Sequence, residues 1–136
     1  MDISEIKRFL GQDWTDTETL IRRALDSDIG LLNSTNRALL ANGGKQLRPI
    51  LGLLVARACG GGSVAGDSIR FAAASELLHN ATLLHDDVAD SSKERRGRPT
   101  VMSILGGPAS VLIGDFWLVR AVECILSAEN RTGEVI

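Results

Sequence analysis

Three aspartates crowd the end of one predicted helix, in the sequence Asp86-Asp87-Val88-Ala89-Asp90. On a helix, Asp86 and Asp90 lie one turn apart on one face, where like charges repel and the C-terminal end disfavours anions. A cation must therefore compensate for them. Because the preceding turns are apolar and predicted to be buried, these carboxylates are suited to bind a hard cation such as Mg²⁺.

An arginine pair, Arg95 and Arg96, follows a few residues later. Guanidinium groups are planar donors that match phosphate oxygens. Carboxylates, a metal ion and arginines together indicate a site for a diphosphate. The alternative is a solvated acidic turn that Lys93, Arg95 and Arg96 neutralise, and the spacing alone leaves both interpretations open.

Two histidines precede the aspartates. His79 lies seven residues before Asp86, two turns deeper on almost the same helical face. It is therefore either part of the site or a core histidine whose polar atoms are satisfied. His85 carries no such signal, and we interpret it as a core residue.

A second basic group surrounds a predicted helix start. Gly43 and Gly44 allow the backbone to bend, and Pro49 is suited to begin a helix. Lys45 and Arg48 would then flank the helix N-terminus, whose free N–H groups attract anions. The alternative is an ordinary turn between two helices with solvated charges.

The elements that must position these residues are helices. Apolar residues recur at helical spacing, and no sustained alternation predicts a strand. We predict an all-α fold, an antiparallel helix bundle around a central cavity. The predicted helices are 3–10, one starting near Thr15 or Asp16, one ending before Gly43, one beginning at Pro49, 68–90 and 109–128.

The two longest predicted helices carry most of the core. The last one is apolar on most sides, which predicts a buried helix. Because the chain offers it too few neighbours, we expect an exposed apolar face and self-association. The predicted inner face of helix 68–90 contains Phe71, Ala74, Leu78, Ala81 and either Leu84 or His85.

Composition excludes several classes of protein. The chain has 136 residues, the size of one domain, and a net charge of -2, which disfavours general nucleic-acid binding. We interpret Cys59 and Cys124 as buried apolar residues in a reducing, cytoplasmic compartment. No apolar stretch reaches the roughly 18 residues that span a bilayer, and no signal peptide is evident.

Together, these motifs resemble the trans-isoprenyl diphosphate synthases, or polyprenyl synthetases. The resemblance extends from about Gly43 to Ala121 and depends on the combination of motifs more than on any one of them. Its four parts are Gly43-Gly44-Lys45-x-x-Arg48-Pro49, the first aspartate-rich motif in 76–90, Arg95-Arg96-Gly97-x-Pro99-Thr100, and Gly114-Asp115-Phe116.

The resemblance implies a fold of the isoprenoid synthase type and a Mg²⁺-dependent prenyl transfer. Mg²⁺ held by Asp86 and Asp90 would bind the diphosphate of an allylic substrate, with charge added by Arg95 and support from the Asp87 carboxylate. Isopentenyl diphosphate would attack the resulting cation, and loss of a proton would give a longer trans-polyprenyl diphosphate. The residues implied to hold isopentenyl diphosphate are Lys45, Arg48, His79 and Arg96.

The resemblance also bears on product length. Ala81 and Thr82, five and four residues before Asp86, are small, whereas family members with short products carry bulky aromatic residues nearby. This implies an open channel and a long product, of the octaprenyl type. The alternative is that both residues are small only to let helices pack closely.

Two departures from the family pattern are evident. Position 46 is Gln where many members carry a basic residue, so we expect it to contribute less to phosphate binding. The family's second aspartate-rich motif and Lys-Thr pair have no counterparts. We therefore expect residues 1–136 to be the N-terminal part of one all-α domain, inactive alone and forming a homodimer when complete. The alternative is a non-catalytic helical subunit that regulates a prenyl synthase.

Overall fold

Seven helices and one two-stranded hairpin are formed by the residues that the computed structural model describes, 2–60, 62 and 66–128. The all-α prediction is confirmed. The hairpin consists of β1 (Glu94–Arg95) and β2 (Arg98–Pro99). The helices are α1 (Ile3–Leu10), α2 (Gln12–Ala24), α3 (Gly30–Ala41), α4 (Leu47–Cys59), α5 (Gly66–Ala89), α6 (Val101–Leu105) and α7 (Gly107–Leu126).

The N-terminal helix follows its local sequence signals. Asp2 and Glu5 form a reciprocal capping box, in which each side chain accepts a hydrogen bond from the other's backbone N–H. Gly11 ends α1 with a φ of 56°, a conformation that favours glycine. The second helix then begins at Gln12 and not near Thr15, because the chain resumes helical geometry directly after this single turn residue.

Helix α5 is the centre of the fold and packs against α7, α4 and α2. Its buried stripe includes Ala73, Leu77, Ala81 and Leu84, which meet Trp117 of α7 in the main core. Because α5 has neighbours on several sides, this stripe is wide. Small alanines let the helices approach closely.

The predicted inner face of α5 needs a correction. Phe71 is 36% exposed and Leu78 is 42% exposed, so both lie outside the core. Ala74, Ala81 and Leu84 are buried as predicted, and Ala72 and Leu77 are buried in addition, in the core clusters that α5 shares with α4 and α7. His85 is half-buried at the edge of the same face.

Helix α7 is buried along one side only. Ile113, Trp117, Ala121 and Cys124 face the core, whereas the opposite side exposes large apolar residues. The helix is therefore buried on one side only, and the exposed apolar face that the sequence analysis expected is present. The exposed apolar residues of α7 are Val111, Leu112, Leu118, Val119, Val122 and Leu126.

Two further sequence interpretations have an outcome. Cys124 is buried as expected, and burial raises the pKa of its thiol. Cys59 is exposed at the end of α4, so its interpretation as a core residue is wrong. Within the described part of the chain, no helix is long and apolar enough to cross a membrane.

Candidate functional site

The glycine-rich basic motif forms the entry into α4. Gln46 has a left-handed backbone, with φ 58° and ψ 42°, and precedes the first helical residue, Leu47. The helix thus begins two residues before Pro49, which sequence analysis placed at its start. Pro49 still lies in the first turn, where a missing N–H group costs no intrahelical hydrogen bond.

The arginine pair lies on the hairpin, which sequence analysis did not predict. Arg95 and Arg98 are directly paired across it, and the two residues between them, Arg96 and Gly97, have φ values of 52° and 74°. Two left-handed residues in a two-residue loop are typical of the tightest hairpin turn. The strands are too short to show alternation, and Gly97 is the one local signal. Because Arg95 lies on the strand and Arg96 in the turn, Arg95 contacts Asp87 whereas Arg96 lines a separate cavity.

Four residues from three separate segments meet at one cavity of about 450 Å³. Sequence analysis assigned these residues, Lys45, Arg48, His79 and Arg96, to one ligand, and the structure brings them together. Two residues that sequence reasoning missed, Glu76 and Asn80, line the same cavity. The carboxylate of Glu76 is buried and accepts a hydrogen bond of 3.0 Å from the amide of Asn80.

Arg96 reaches this cavity over a glycine. A methyl group at Gly44 would place its carbon 2.7 Å from Nη2 of Arg96 and 2.9 Å from Cζ. These distances are shorter than van der Waals contact, so the guanidinium group fits only because residue 44 lacks a side chain. The motif glycine and the arginine pair, which lie far apart in sequence, are therefore parts of one site.

The electrostatics of the cavity are set by its cations. Burial lowers the pKa of His79 below its ordinary value, and the positive charges of Arg48 and Arg96 lower it further, whereas Glu76 acts in the opposite direction. His79 is therefore neutral at physiological pH. With Lys45, Arg48 and Arg96 charged, the cavity is suited to an anion.

The three aspartates of the acidic motif have different surroundings. Asp87 is buried, and its Oδ1 accepts hydrogen bonds from Arg95 Nη2 at 2.6 Å and Arg95 Nε at 3.1 Å. This hydrogen bond raises the pKa of Arg95, with the charges of all three aspartates acting in the same direction. Asp86 and Asp90 are exposed. The compensating cation that the motif requires is thus Arg95 for Asp87, while the other two carboxylates face solvent.

The exposed pair is the part of the motif that fits a metal ion. Asp86 and Asp90 lie one turn apart at the end of α5, since the backbone N–H of Asp90 donates to the carbonyl of Asp86. Among residues 2–60, 62 and 66–128, no group of three or more His, Cys, Asp or Glu side chains is arranged to hold a metal ion. Two carboxylates suit Mg²⁺ when water and substrate phosphates complete its coordination.

His85 links α5 to α7 and is not a simple core residue. Its Nε2 lies 3.2 Å from the carbonyl oxygen of Val111 and 3.1 Å from the carboxylate of Asp115. The ring fits against Gly114, where a Cβ would lie 2.5 Å from Cδ2 and Nε2. The sequence signal for this contact was the Gly114-Asp115 pair, which sequence analysis did not connect with His85.

The two residues assigned to product length differ in their surroundings. Ala81 is 1% exposed and belongs to the main core with Trp117 and Ala121. Thr82 is exposed, and its hydroxyl donates to the carbonyl of His79 at 2.6 Å. Of the two, only Thr82 lies on the open face of α5. The role of Ala81 and Thr82 in product length stays a prediction.

The sequence matches known proteins over most of its length. The model of the polyprenyl synthetase family matches residues 30–136. The octaprenyl diphosphate synthase of Escherichia coli is 39% identical over 128 residues, 93% of this chain and 39% of the relative. The all-trans-nonaprenyl-diphosphate synthase of Rhodobacter capsulatus, specific for geranyl diphosphate, is 38% identical over 89% of this chain and 37% of that protein. The chain thus spans about two fifths of the length of these relatives.

Solved structures give the same result for the fold. A decaprenyl diphosphate synthase from Rhodobacter capsulatus superimposes with a TM-score of 0.88 at 34% identity, over 98% of this chain and 41% of that one. A polyprenyl synthase from Caulobacter crescentus, solved with calcium and isoprenyl diphosphate, has a TM-score of 0.87 at 35% identity, over 98% of this chain and 40% of that one.

Proposed function

Because this chain belongs to the polyprenyl synthetase family, we propose that it contributes the isopentenyl diphosphate cavity and the first metal-binding carboxylates of a prenyltransferase. The observation that carries the proposal is the convergence of Lys45, Arg48, His79 and Arg96 on one cavity. The complete set of cations supports the enzyme over a non-catalytic helical subunit, which would have no need of them.

Each cavity residue has a proposed role in holding isopentenyl diphosphate. Lys45, Arg48 and Arg96 neutralise the diphosphate, and the two guanidinium groups can each bind two oxygens at once. His79, which is neutral when the cavity is empty, donates one further hydrogen bond through a ring N–H. The charge of the bound anion would offset the desolvation and the arginine charges that lower the pKa of His79.

The allylic substrate is proposed to bind at the exposed end of α5. Asp86 and Asp90 would hold Mg²⁺, which supplies Lewis-acid stabilisation of a departing diphosphate. Arg95, fixed by its hydrogen bonds to Asp87, adds positive charge beside them. The polyprenyl synthase of Caulobacter crescentus was solved with calcium and isoprenyl diphosphate, which supports the proposal that a cation and a diphosphate bind to this chain.

The bond-forming step needs the two substrates side by side. The double bond of isopentenyl diphosphate attacks the reacting carbon of the allylic substrate as the diphosphate of the allylic substrate leaves. Loss of a proton then completes the longer trans chain. The chain's own residues act by position, since α5 carries both His79 and Asp86. One rigid helix thereby fixes the distance between the two binding regions.

We propose a long product of the octaprenyl type. The relatives named octaprenyl and nonaprenyl synthases support this, as does the small side chain of Thr82 on the open face of α5. Because Ala81 is enclosed by the core, a bulky residue there would disturb packing as well as any channel. Thr82 is therefore the position at which to test product length.

The organisation of the whole protein also remains a proposal. We propose that residues 1–136 are the N-terminal part of one all-α domain, as the greater length of the relatives supports. The exposed apolar side of α7 supports a homodimer. We also propose a cytoplasmic location, which the two free cysteines, Cys59 and Cys124, support.

The test is turnover by the intact natural protein with Mg²⁺, isopentenyl diphosphate and an allylic diphosphate, with products resolved by chromatography. We expect long products, lost with Mg²⁺ removal and reduced by orders of magnitude in Asp86→Ala, since a missing ligand unbalances the metal site. Thr82→Phe should shorten the product. Full turnover by Asp86→Ala would overturn the metal assignment, and unchanged products in Thr82→Phe would overturn the channel.

A further inference from the structure

The N-terminal helix reaches the candidate diphosphate cavity through one hydrogen bond. Lys7 of α1 donates from Nζ to Oε1 of Gln46 at 2.9 Å. The same ammonium group lies 4.7 Å from the ring centroid of Trp14, a distance typical of a cation–π contact. Gln46 lines the cavity beside Lys45 and Arg48. Lys7 is thus held from one side by an aromatic ring and bound on the other to a cavity residue.

This contact determines which way the Gln46 carboxamide faces. A lysine ammonium group only donates hydrogen bonds, so it must meet the oxygen end of the amide and not the nitrogen end. The nitrogen, with its two N–H donors, is then directed away from Lys7. Among the described residues, Nε2 of Gln46 has no hydrogen-bond partner. A diphosphate accepts hydrogen bonds, so the free end of Gln46 matches it.

The backbone at Gln46 strengthens this arrangement. Its left-handed conformation, with φ 58°, sets the side chain at the turn between the glycine-rich segment and α4. Non-glycine residues adopt this conformation infrequently, and the surrounding contacts must hold it. The hydrogen bond from Lys7 is such a contact, since it fixes the far end of the same residue.

We propose that Lys7 is a positioning residue for the diphosphate cavity: it holds the Gln46 carboxamide with its N–H groups available to a phosphate oxygen. This inference rests on the proposed function, because the anion is the diphosphate of isopentenyl diphosphate. Lys7 does not line the cavity itself and acts through Gln46. Without it, the amide is free to turn its oxygen toward the anion, which is repulsive.

The experiment measures the Kd of isopentenyl diphosphate by titration calorimetry on the intact natural protein. Lys7→Met keeps the length of the side chain and removes its charge, and it should weaken binding about fivefold, less than the full loss of a hydrogen bond to a charged group because Gln46 itself is kept. Gln46→Met should weaken it at least as much. The double variant should be no weaker than Gln46→Met alone, because Lys7 acts through that residue. Arg8→Met, which removes the same charge from an exposed neighbour, is the matched control and should leave binding unchanged.

Gln46→Glu separates positioning from a merely structural role. Its carboxylate still accepts from Lys7, so the melting temperature should hold, yet it has no donor for phosphate and should bind more weakly than Gln46→Met. This variant keeps the test decisive even if Lys7→Met folds poorly. Lys7→Arg, which retains a cationic donor, should bind nearly as well as the natural protein.

The outcomes separate this inference from the function on which it rests. If Lys45→Ala weakens binding but Lys7→Met and Gln46→Glu do not, the positioning role is overturned and the cavity assignment stands. If the Lys7→Met loss persists in full in the Gln46→Met background, Lys7 does not act through Gln46 and the inference fails. If the natural protein does not bind isopentenyl diphosphate, both fall together.

Discussion

The guanidinium group of Arg96 lies directly against the backbone of Gly44, closer than any side chain at residue 44 would allow. The contact joins the turn of the hairpin to the segment that enters α4. It also explains why a basic motif and an arginine pair, distant in sequence, serve one cavity. The site is therefore assembled by the fold and does not exist within any single segment.

Gly44→Ala tests this contact. The backbone of Gly44 has an ordinary negative φ, and the atoms that a methyl group would meet belong to the far end of a flexible side chain. We therefore expect little change in stability, below about 1 kcal/mol, but a displaced Arg96 and binding of isopentenyl diphosphate weaker on the order of tenfold. Thermal melting and calorimetry measure the two effects. A loss of stability with normal binding would contradict the argument.

Two other glycines offer a matched pair for stability. Gly114→Ala would force the His85 ring from its place and would bring the new methyl carbon 3.3 Å from the carbonyl oxygen of Ala81. We expect a loss of about 1–3 kcal/mol in the free energy of unfolding. Gly52→Ala, in α4 with ordinary space around it, should gain about 0.5–1 kcal/mol from helix propensity. Urea unfolding measures both, and equal effects would show that the His85 contact is unimportant.

The adjacent carboxylates of Asp86 and Asp87 should behave differently. Asp87→Asn removes the charge from a buried group that holds Arg95, and we expect a loss of about 1–3 kcal/mol in stability. Asp86→Asn changes an exposed side chain, and its unfolding should resemble that of the natural protein. Chemical denaturation of both variants is the measurement. Equal destabilisation by both would mean that the two carboxylates share one structural role.

The lowered pKa of His79 predicts a pH dependence of stability. Below the ordinary histidine pKa of 6.5, the unfolded chain takes up a proton that the folded chain resists, because burial and Arg48 oppose it. Stability from this group is therefore constant above about pH 6.5 and falls as the pH drops below it, until His79 in the folded protein is also protonated. His79→Gln should lose less stability than the natural protein between pH 7.5 and pH 5.5, and the difference isolates this residue. Parallel pH profiles would contradict the assignment.

Much of the fold could be predicted from local signals. The capping box at Asp2, the stop at Gly11 and the long apolar pattern of α5 and α7 gave the number and type of the main elements. These signals depend on residues close together in sequence, and the corresponding caps and helices are present in the structure. The positions of helix starts were less certain because Gln12 and Leu47 carry no distinctive cap.

Other features depend on contacts that the sequence does not display. The periodic pattern of α5 does not show which of its apolar residues its neighbours cover, so the exposure of Phe71 and Leu78 was not predicted. The hairpin is two residues long on each strand, too short for a periodic pattern. In the site, the residue types were predicted, and Arg95 was among the cations expected to neutralise the acidic turn, but its specific pairing with the buried Asp87 was not predicted. Neither was the contact of Lys7 with Gln46, since both pairings require the packed helices.

The measurement that tests the account most directly compares two arginines of the same hairpin. Arg96 lines the cavity, whereas Arg98, on the neighbouring strand, is exposed and lies outside its lining. In titration calorimetry of the intact natural protein with isopentenyl diphosphate, Arg96→Ala should weaken binding about tenfold or more, while Arg98→Ala should leave the Kd nearly unchanged. Equal Kd values for both variants, or unchanged binding in Arg96→Ala, would contradict the assignment of this cavity to the diphosphate.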